Sequence, residues 1–376
     1  MRILIAGDYC PFYRVADLIE KGNHSVVFNE IHTLLDSYDY SIVNLECPVA
    51  TGCKPIEKFG PNLRCTEKVI DSLKYAGFNA VTLANNHFYD FGDEGVQSTI
   101  NALSLNSIDY VGGGMNYTQA SKSLIKRLGN ARIAFINCCE HEFSIATNNS
   151  GGANPLNPIS QYYSIQKAKQ DADFVVVIVH GGNEFYQLPS PRMQDTYRFF
   201  VDIGADAVIN HHQHCVSGFE VYQGKPIFYG IGNFCFDDAK ERDSVYNYGF
   251  LVGLDFSCPD TGYKIIPYQQ CNESPVVSLL NGENLDSFMR QIAELNSIIR
   301  DRHKLESEYQ QFLSTDRLGY SLLFEPYSHR YPVALYRRHL LPSFINKQKR
   351  LKALNFLMCE SRIEQVINAL KNHTNE

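Results

Sequence analysis

Five apolar, β-rich runs in this chain end in side chains able to hold a metal ion, and that repeated ending constrains it more than any other feature. "RILIAG" runs into Asp8, "YSIVNLE" delivers Asn44 and Glu46, and "AVTLAN" leads to Asn85, Asn86 and His87. "DFVVVIVH" closes on His180, and "DAVIN" runs into His211, His212 and His214. Strand side chains repeat every second residue, so His212 and His214 are expected to aim the same way. Any one such ending has a bland explanation: Asp8 as a helix cap, Asn86 as a turn former, His180 as a hydrogen-bonded core residue. Five together point to a site.

Two more β-rich runs, "IDYVGGG" and "RIAFINC", complete the pattern. Helical candidates lie between several of them, such as "CTEKVIDSLKYAG" with Thr66 as N-cap and Gly77 at the stop. Strands spaced by helices predict an α/β layered fold with mostly covered sheets. After Asn210, "FEVYQGKPIFYGIGNFCF" and "YGFLVGLDFS" read as hairpin strands, with Gly224 in the turn. The 376 residues, 44% of them hydrophobic, suffice for a large core. Near Leu279 the character changes: "NLDSFMRQIAELNSIIRDRHKLESEYQQFL" and the closing "IEQVINALKNH" place apolar residues at helical spacing. The expected organisation is an α/β domain over 1–275 and a mainly helical C-terminal extension over 276–376.

A net charge of -7 and a pI near 6.0 provide no basic field for a nucleic-acid partner, so a small or locally recognised substrate is expected. No apolar run reaches the roughly 18 residues of a transmembrane helix. The opening "MRILIAGDYC" is too short an apolar run for a secretory signal and reads as a buried first strand. Eleven scattered cysteines without a CxxC pair fit a reducing compartment, which predicts a cytoplasmic location. The densest cationic stretch, "YRRHLLPSFINKQKRLKAL", reads either as a solvated helical face or as a docking surface for an anionic partner.

Two carboxylates, an amide and at least three imidazoles make a mixed hard and borderline donor set, which suits Zn, Mn, Fe or Co better than Ca. There are donors enough for two ions. A carboxylate can bridge a pair of ions about 3.5–4 Å apart, and water held there ionises near neutral pH, the machinery for hydrolysing a phosphate ester. The motifs of serine hydrolases, zincins, P-loop NTPases and dinucleotide-binding enzymes are absent from the sequence.

The motifs "GD" at 7–8, "NLECPV" at 44–49, "AGFNAVTLANNHFYDFGDEG" at 76–95, "VHGGNEF" at 179–185, "GADAVINHHQH" at 204–214 and "YGIGNF" at 229–234 occur in that order. Over residues 1–255 they resemble the bacterial capsule-synthesis or poly-gamma-glutamate biosynthesis (CapA) family of the calcineurin-like metallophosphoesterase superfamily. The resemblance implies an αββα sandwich with two divalent transition-metal ions (Mn, Zn or Fe) at the strand ends. It implies Asp8 on the first ion, Glu46 as the bridge, Asn86 and His180 on the second, and the His-x-His pair completing both, His212 on the second and His214 on the first. His211 takes the place of the superfamily's glycine and is expected behind the ligands or facing substrate. His87 resembles the histidine that protonates the leaving oxygen. Asp90 either orients that ring or caps the following helix.

Two departures carry consequences. Position 10 is Cys10 where the superfamily has histidine, so one first-ion ligand is absent or a thiolate. Glu46 stands where aspartate is common, one methylene longer. Asn44, Asn85 and Asn233 are candidates for contact with substrate, although the last two read more readily as turn formers. Glu184 and Arg192, in "GGNEFYQLPSPRMQDTYRFF", are candidates for a specificity wall, with Arg192 able to grip a phosphate or carboxylate. Two functions are carried forward. One is a metal-dependent hydrolase of a small phosphorylated or polymer-linked substrate in capsule or polyglutamate production; the other is a non-catalytic, metal-binding accessory of a polymer-making assembly, docked through the basic tail.

Overall fold

A computed structural model describes residues 1–58, 60–257, 261–315, 326, 327 and 329–358. The chain divides into two compact units, Met1–Glu306 and Ser307–Glu376. The strands, in chain order, are β1 (Arg2–Cys10), β2 (Tyr40–Leu45), β3 (Ala80–Thr82), β4 (Asp109–Val111), β5 (Gly113–Gly114), β6 (Leu124–Leu128), β7 (Ala131–Cys139) and β8 (Gly152–Ala153). They continue with β9 (Phe174–His180), β10 (Ala207–His211), β11 (Phe219–Tyr222), β12 (Lys225–Phe228), β13 (Asn233–Phe236), β14 (Tyr248–Asp255), β15 (Gly262–Gln270) and β16 (Val277–Leu279). The helices of the first unit are α1 (Tyr13–Glu20), α2 (His24–Leu35), α3 (Lys68–Ala76), α4 (Gly92–Leu105), α5 (Tyr117–Ala120), α6 (Pro158–Asp171), α7 (Pro191–Asp202) and α8 (Gly282–Arg300). The helix α9 (Arg302–Thr315) crosses the division, and α10 (Arg330–Arg337) and α11 (Lys347–Met358) belong to the second unit.

Two mixed sheets form the first unit. One runs β16-β15-β14-β1-β2-β3-β4, with β13 also paired to β1; the other runs β11-β12-β10-β9-β7-β6. Their face-to-face packing follows from the side-chain period of two. Ile3, Ile5 and Ile42 meet Val176, Ile178 and Ile209 in a core between the sheets. The intervening Leu4, Ala6 and Val43 turn outward beneath Val15, Ile31, Leu73 and Val96 of α1 to α4. Val175, Val177 and Val208 likewise pack against Ile165, Phe200 and Ile299 of α6, α7 and α8. Both faces of both sheets are covered, and that is why these strands read as unbroken apolar runs without a polar alternation. The result is the helix-sheet-sheet-helix sandwich that the family resemblance implies.

The carboxyl ends of the parallel strands gather at one edge. His211 lies opposite His180 where β10 pairs with β9, and Asp8 lies opposite both Asn44 and Asn233 where β1 pairs with β2 and β13. The register slips between Ala6 and Asp8. At this bulge Gly7 passes so close to the neighbouring chain that a Cβ would sit 1.9 Å from the Gly232 carbonyl oxygen. Bulges re-aim side chains, and this one turns Asp8 into the cluster described below.

Three local expectations change. "YGFLVGLDFS" becomes β14, antiparallel to β1 and β15, while "FEVYQGKPIFYGIGNFCF" forms a hairpin at β11 and β12, with Gly224 in the turn at φ 76°. It then leaves that sheet, and β13 pairs with β1 of the other. The α3 helix starts with Glu67, not Thr66, in the N-cap position, and Thr66 Oγ1 accepts the Lys68 N–H. The change of composition near Leu279 lies inside the first unit: Phe288 and Ile292 of α8 join the core between the sheets. In the second unit Tyr327 packs on Tyr336 and Phe344. The closing "IEQVINALKNH" lies outside the described residues. Among the described residues every cysteine is free, and no helix is long and apolar enough to cross a membrane.

Candidate metal centre

Asp8, from β1, sits at the middle of the cluster. Its Oδ1 accepts from Asn44 Nδ2 at 2.7 Å and its Oδ2 from the His212 backbone N–H at 3.1 Å. His180, at the end of β9, lies 3.8 Å from Asp8 through Nδ1 and 3.6 Å from Glu46 Oε1 through Nε2. His214 spans the same two carboxylates from the other side, at 3.9 and 3.7 Å. Asn86 Oδ1 and His212 Nδ1 approach His180 Nε2 at 3.0 and 3.1 Å. The structure thus brings together Asp8, Glu46, Asn86, His180, His212 and His214. Donor atoms fall into three groups, each within 4.8 Å: Asp8, Glu46 and His214; Glu46, His180 and His212; and Asp8, His180 and His211.

The loop that carries the two histidines is strained to do so. His212 and His214 both hold positive φ, 92° and 54°, a region that non-glycine residues seldom occupy. His214 is then fixed through Nδ1 by Asn233 Oδ1 at 2.8 Å. His180 is aimed by Asn44, whose Nδ2 stands 3.3 Å from its Nδ1. Such outer contacts set which imidazole nitrogen faces the centre.

Donor chemistry and electrostatics test whether a divalent ion fits. Both Glu46 carboxylate oxygens are fully buried and make no hydrogen bond. Burial, with the Asp8 charge adding to it, raises the Glu46 carboxyl well above the ordinary range. Burial and neighbouring imidazoles push the other way on the histidines: His180 is well below its usual value, and His212 is lowered to about 3 by burial and by His214. Neutral imidazoles with free lone pairs beside unpaired carboxylate oxygens are what a cation requires. The residues present fit divalent transition metals, and the buried groups form a metal-capable centre.

Next to the centre, His87 Nδ1 meets Asp90 Oδ2 at 2.7 Å. Burial lowers the His87 pKa, the Asp90 carboxylate opposes that, and the Lys58 ammonium reinforces it. Residual accessibility is greatest at four of these residues, on the side taken as the mouth. Asn86, His87, His212 and His214 are 7–9% exposed, while Asp8, Glu46 and Asn44 are at 0%.

Residues 2–238 match the family model described as bacterial capsule synthesis protein PGA_cap. The chain belongs to the PGA_cap family. It is 32% identical over 297 residues to a capsule biosynthesis protein CapA from Bacillus anthracis, covering 75% of this chain and 71% of that one. It is 31% identical over 247 residues to a PGA biosynthesis protein CapA from Bacillus subtilis, covering 64% of each. Among solved structures it is similar to one titled as a novel phosphatase from Mycoplasma pneumoniae, at 17% identity and TM-score 0.48, over 73% of this chain and 95% of that one.

Several side chains of this PGA_cap protein that are candidates for substrate contact are held within the cluster or at the surface. Asn44, Asn85 and Asn233 are fully buried and spend their amides on the cluster itself: Asn85 bonds Asn44 Oδ1 and the Leu45 carbonyl, and its own Oδ1 accepts the His87 N–H. Asn44 and Asn233 also bond Asp8 and His214. His211 is 1% exposed, on the inter-sheet floor beneath His180. Arg192, at the start of α7, bonds Glu140 at the surface. Glu184 is exposed, and close enough to the centre that its charge raises the carboxyls of Glu46 and Glu142. Cys10 is buried in the helix-side core beside Cys47, and among the described residues it belongs to no metal-capable group.

Lys58 was not anticipated. Its side chain is 4% exposed, bonds Asp90 Oδ1, and stands 3.2 Å from His87 Nδ1. It sits in the irregular segment between β2 and α3, where no periodicity singles out one lysine, and only the tertiary fold brings it to Asp90. Phe185, at φ 60° and 47% exposed, flanks the mouth, stacked on Tyr246 and 6.3 Å from His214.

Proposed function

We propose that this protein is a metal-dependent phosphoesterase acting in capsule or polyglutamate production. The observation that carries the reading is the convergence of Asp8, Glu46, Asn86, His180, His212 and His214 around an unpartnered, buried Glu46, with a His87–Asp90 pair at the mouth. Asp8 and His214 would hold one ion, Asn86, His180 and His212 a second, and Glu46 both. Two divalent ions of the Mn, Zn or Fe type supply Lewis acidity toward a phosphoryl group and ionise water near neutral pH.

The protein's own contribution is positional. Asp90 engages His87 at Nδ1, which leaves Nε2 to hand a proton to the leaving oxygen. Asp90 favours the charged ring that this donation needs, and Lys58 holds Asp90 in place. Asn44 and Asn233 keep His180 and His214 in single orientations. Phe185 and Glu184 flank the mouth and limit which small phosphorylated or polymer-linked substrate enters. The site works in the cytoplasm on this reading, with the unit Met1–Glu306 carrying the chemistry.

The test is elemental analysis of the purified protein, followed by a screen of phosphomonoesters and diesters with Mn, Zn or Fe added. Bound metal with turnover that chelation abolishes is expected. A second reading, a non-catalytic metal-binding accessory, is favoured by Cys10, which leaves the first ion one ligand short of the superfamily pattern. It would dock on a partner or anionic surface through the exposed Arg337, Arg338, Lys347, Lys349 and Arg350. Full metal without turnover on any phosphoester selects that reading.

A further inference from the structure

The Cys10 departure leaves a gap, and a residue of the same cluster stands where it can be filled. Cys10 packs among apolar side chains and offers the centre no donor. His211 is drawn from another strand. Along β10, Ala207 and Ile209 face the core between the sheets while Val208 faces the helices. The period of two therefore puts His211 on the inter-sheet side, beside its register partner His180. There it is 1% exposed, and neither ring nitrogen makes a hydrogen bond of normal geometry. The Ala6 backbone lies beside the ring. One of its nitrogens falls within 4.8 Å of donor atoms of both Asp8 and His180.

A buried imidazole nitrogen left without a partner is unfavourable by about 1–3 kcal/mol unless something occupies its lone pair. The neighbours on hand are a carboxylate and a second imidazole, the surroundings a metal ion takes. Ligating histidines commonly hold their other nitrogen against a backbone carbonyl, as the Ala6 backbone is placed to do here. We propose that His211 is a metal ligand on the Asp8 side of the centre, standing in for the histidine missing at position 10. Its fellow donors there are Asp8 and His180, the two residues whose ligand atoms it approaches. The assignment rests on the metal-centre reading above.

The test uses the full chain and Mn(II) or Zn(II) alone. Metal content after dialysis and calorimetric titration are measured for the parent, His211→Gln and His212→Gln, with circular dichroism to check folding. The parent is expected to bind two equivalents. His211→Gln is expected to weaken one of them by 100-fold or more and leave the other within a few-fold. Two equivalents of parental affinity in a folded His211→Gln overturn the proposal and leave the metal centre standing, whereas a parent that binds no metal overturns both. Because loss of a residue behind the ligands can also weaken binding by about 10–100-fold, and because the variant may not fold, a second measurement uses the parent itself. Anomalous scattering from Mn-loaded crystals should place an ion about 2.0–2.3 Å from a His211 nitrogen. A well-occupied ion more than about 3.5 Å from that ring refutes it, since no ligand bond is so long.

Discussion

Replacing Lys58 by methionine probes the one element of the site that the sequence did not announce. Lys58 and Asp90 have side chains 4% and 1% exposed, so solvent screens their interaction little. Removing one partner of a buried ion pair typically costs about 3–5 kcal/mol, because the other charge is left uncompensated. Asp90 would keep two other contacts, the Leu63 N–H and His87 Nδ1, each at 2.7 Å. That places the loss for Lys58→Met at the lower end, roughly 3 kcal/mol, with methionine preserving most of the side-chain volume. For the unit Met1–Glu306, with an unfolding entropy of about 2.1 cal/mol/K per residue, such a loss lowers Tm by about 5 °C. Urea unfolding of the metal-free protein, followed by fluorescence and circular dichroism, should show a lower midpoint at unchanged slope. The double variant Lys58→Met/Asp90→Asn should be more stable than the sum of the singles predicts, by about 1–3 kcal/mol. A loss below about 0.5 kcal/mol for Lys58→Met, or strict additivity in the double variant, refutes the reasoning, since either would mean that Asp90 does not depend on the ammonium.

His87→Ala should leave metal content intact and lower turnover by a factor on the order of 10² to 10⁴, less for an aryl phosphate whose leaving group needs little protonation; metal loss equal to that of His212→Ala would make His87 a ligand instead. Without metal, stability should fall with acidification. His212 is held down to about 3 by burial and His214, against about 6.5 in an unfolded chain, so the unfolded state binds more protons between those values. Each such proton contributes a slope of about 1.4 kcal/mol per pH unit. Glu46, raised by burial and by Asp8, acts in the opposite sense, losing stability as pH rises above its unfolded value of about 4.3. Comparing urea midpoints of the parent and His212→Gln from pH 7 to 4 in chelator should show a shallower profile in the variant; identical profiles would exclude His212 as a titrating contributor. Ending the chain after Glu306 should preserve metal binding, whereas ending it after Pro275 should abolish folding, because that cut removes Phe288 and Ile292 from the inter-sheet core; a folded, metal-binding 1–275 fragment would contradict that.

Much of the centre was legible because its donors follow strand ends, and strand ends are marked by where an apolar run stops. Asp8, Glu46, His180 and the His212–His214 pair could each be read that way, and the layered α/β architecture followed from the same runs with helices between them. What each donor faces is a different matter. In a strand covered on both sides the apolar pattern has no polar phase, so "DAVIN" does not reveal which face meets the other sheet and which meets the helices. The fold decides that, and it sends His211 to the floor and Asn210 toward Tyr197, whose hydroxyl bonds it at 2.6 Å. The amides of Asn44, Asn85 and Asn233, candidates for substrate contact from the sequence, bond Asp8, Leu45 and His214 in the folded protein.

Local sequence determined the elements and the chemical kinds of side chain at their ends, since backbone period and residue type act over a few neighbours. Tertiary structure decided the rest through contacts distant in sequence. The Gly7 bulge against Gly232 aims Asp8, the crossing of β13 into the first sheet brings Asn233 to His214, and the loop carrying Lys58 closes over Asp90. Those pairings join residues as far apart as 225 positions in the chain, and their geometry exists only once the sheets have packed, because no local propensity encodes the distance between two strands that meet only in the folded core.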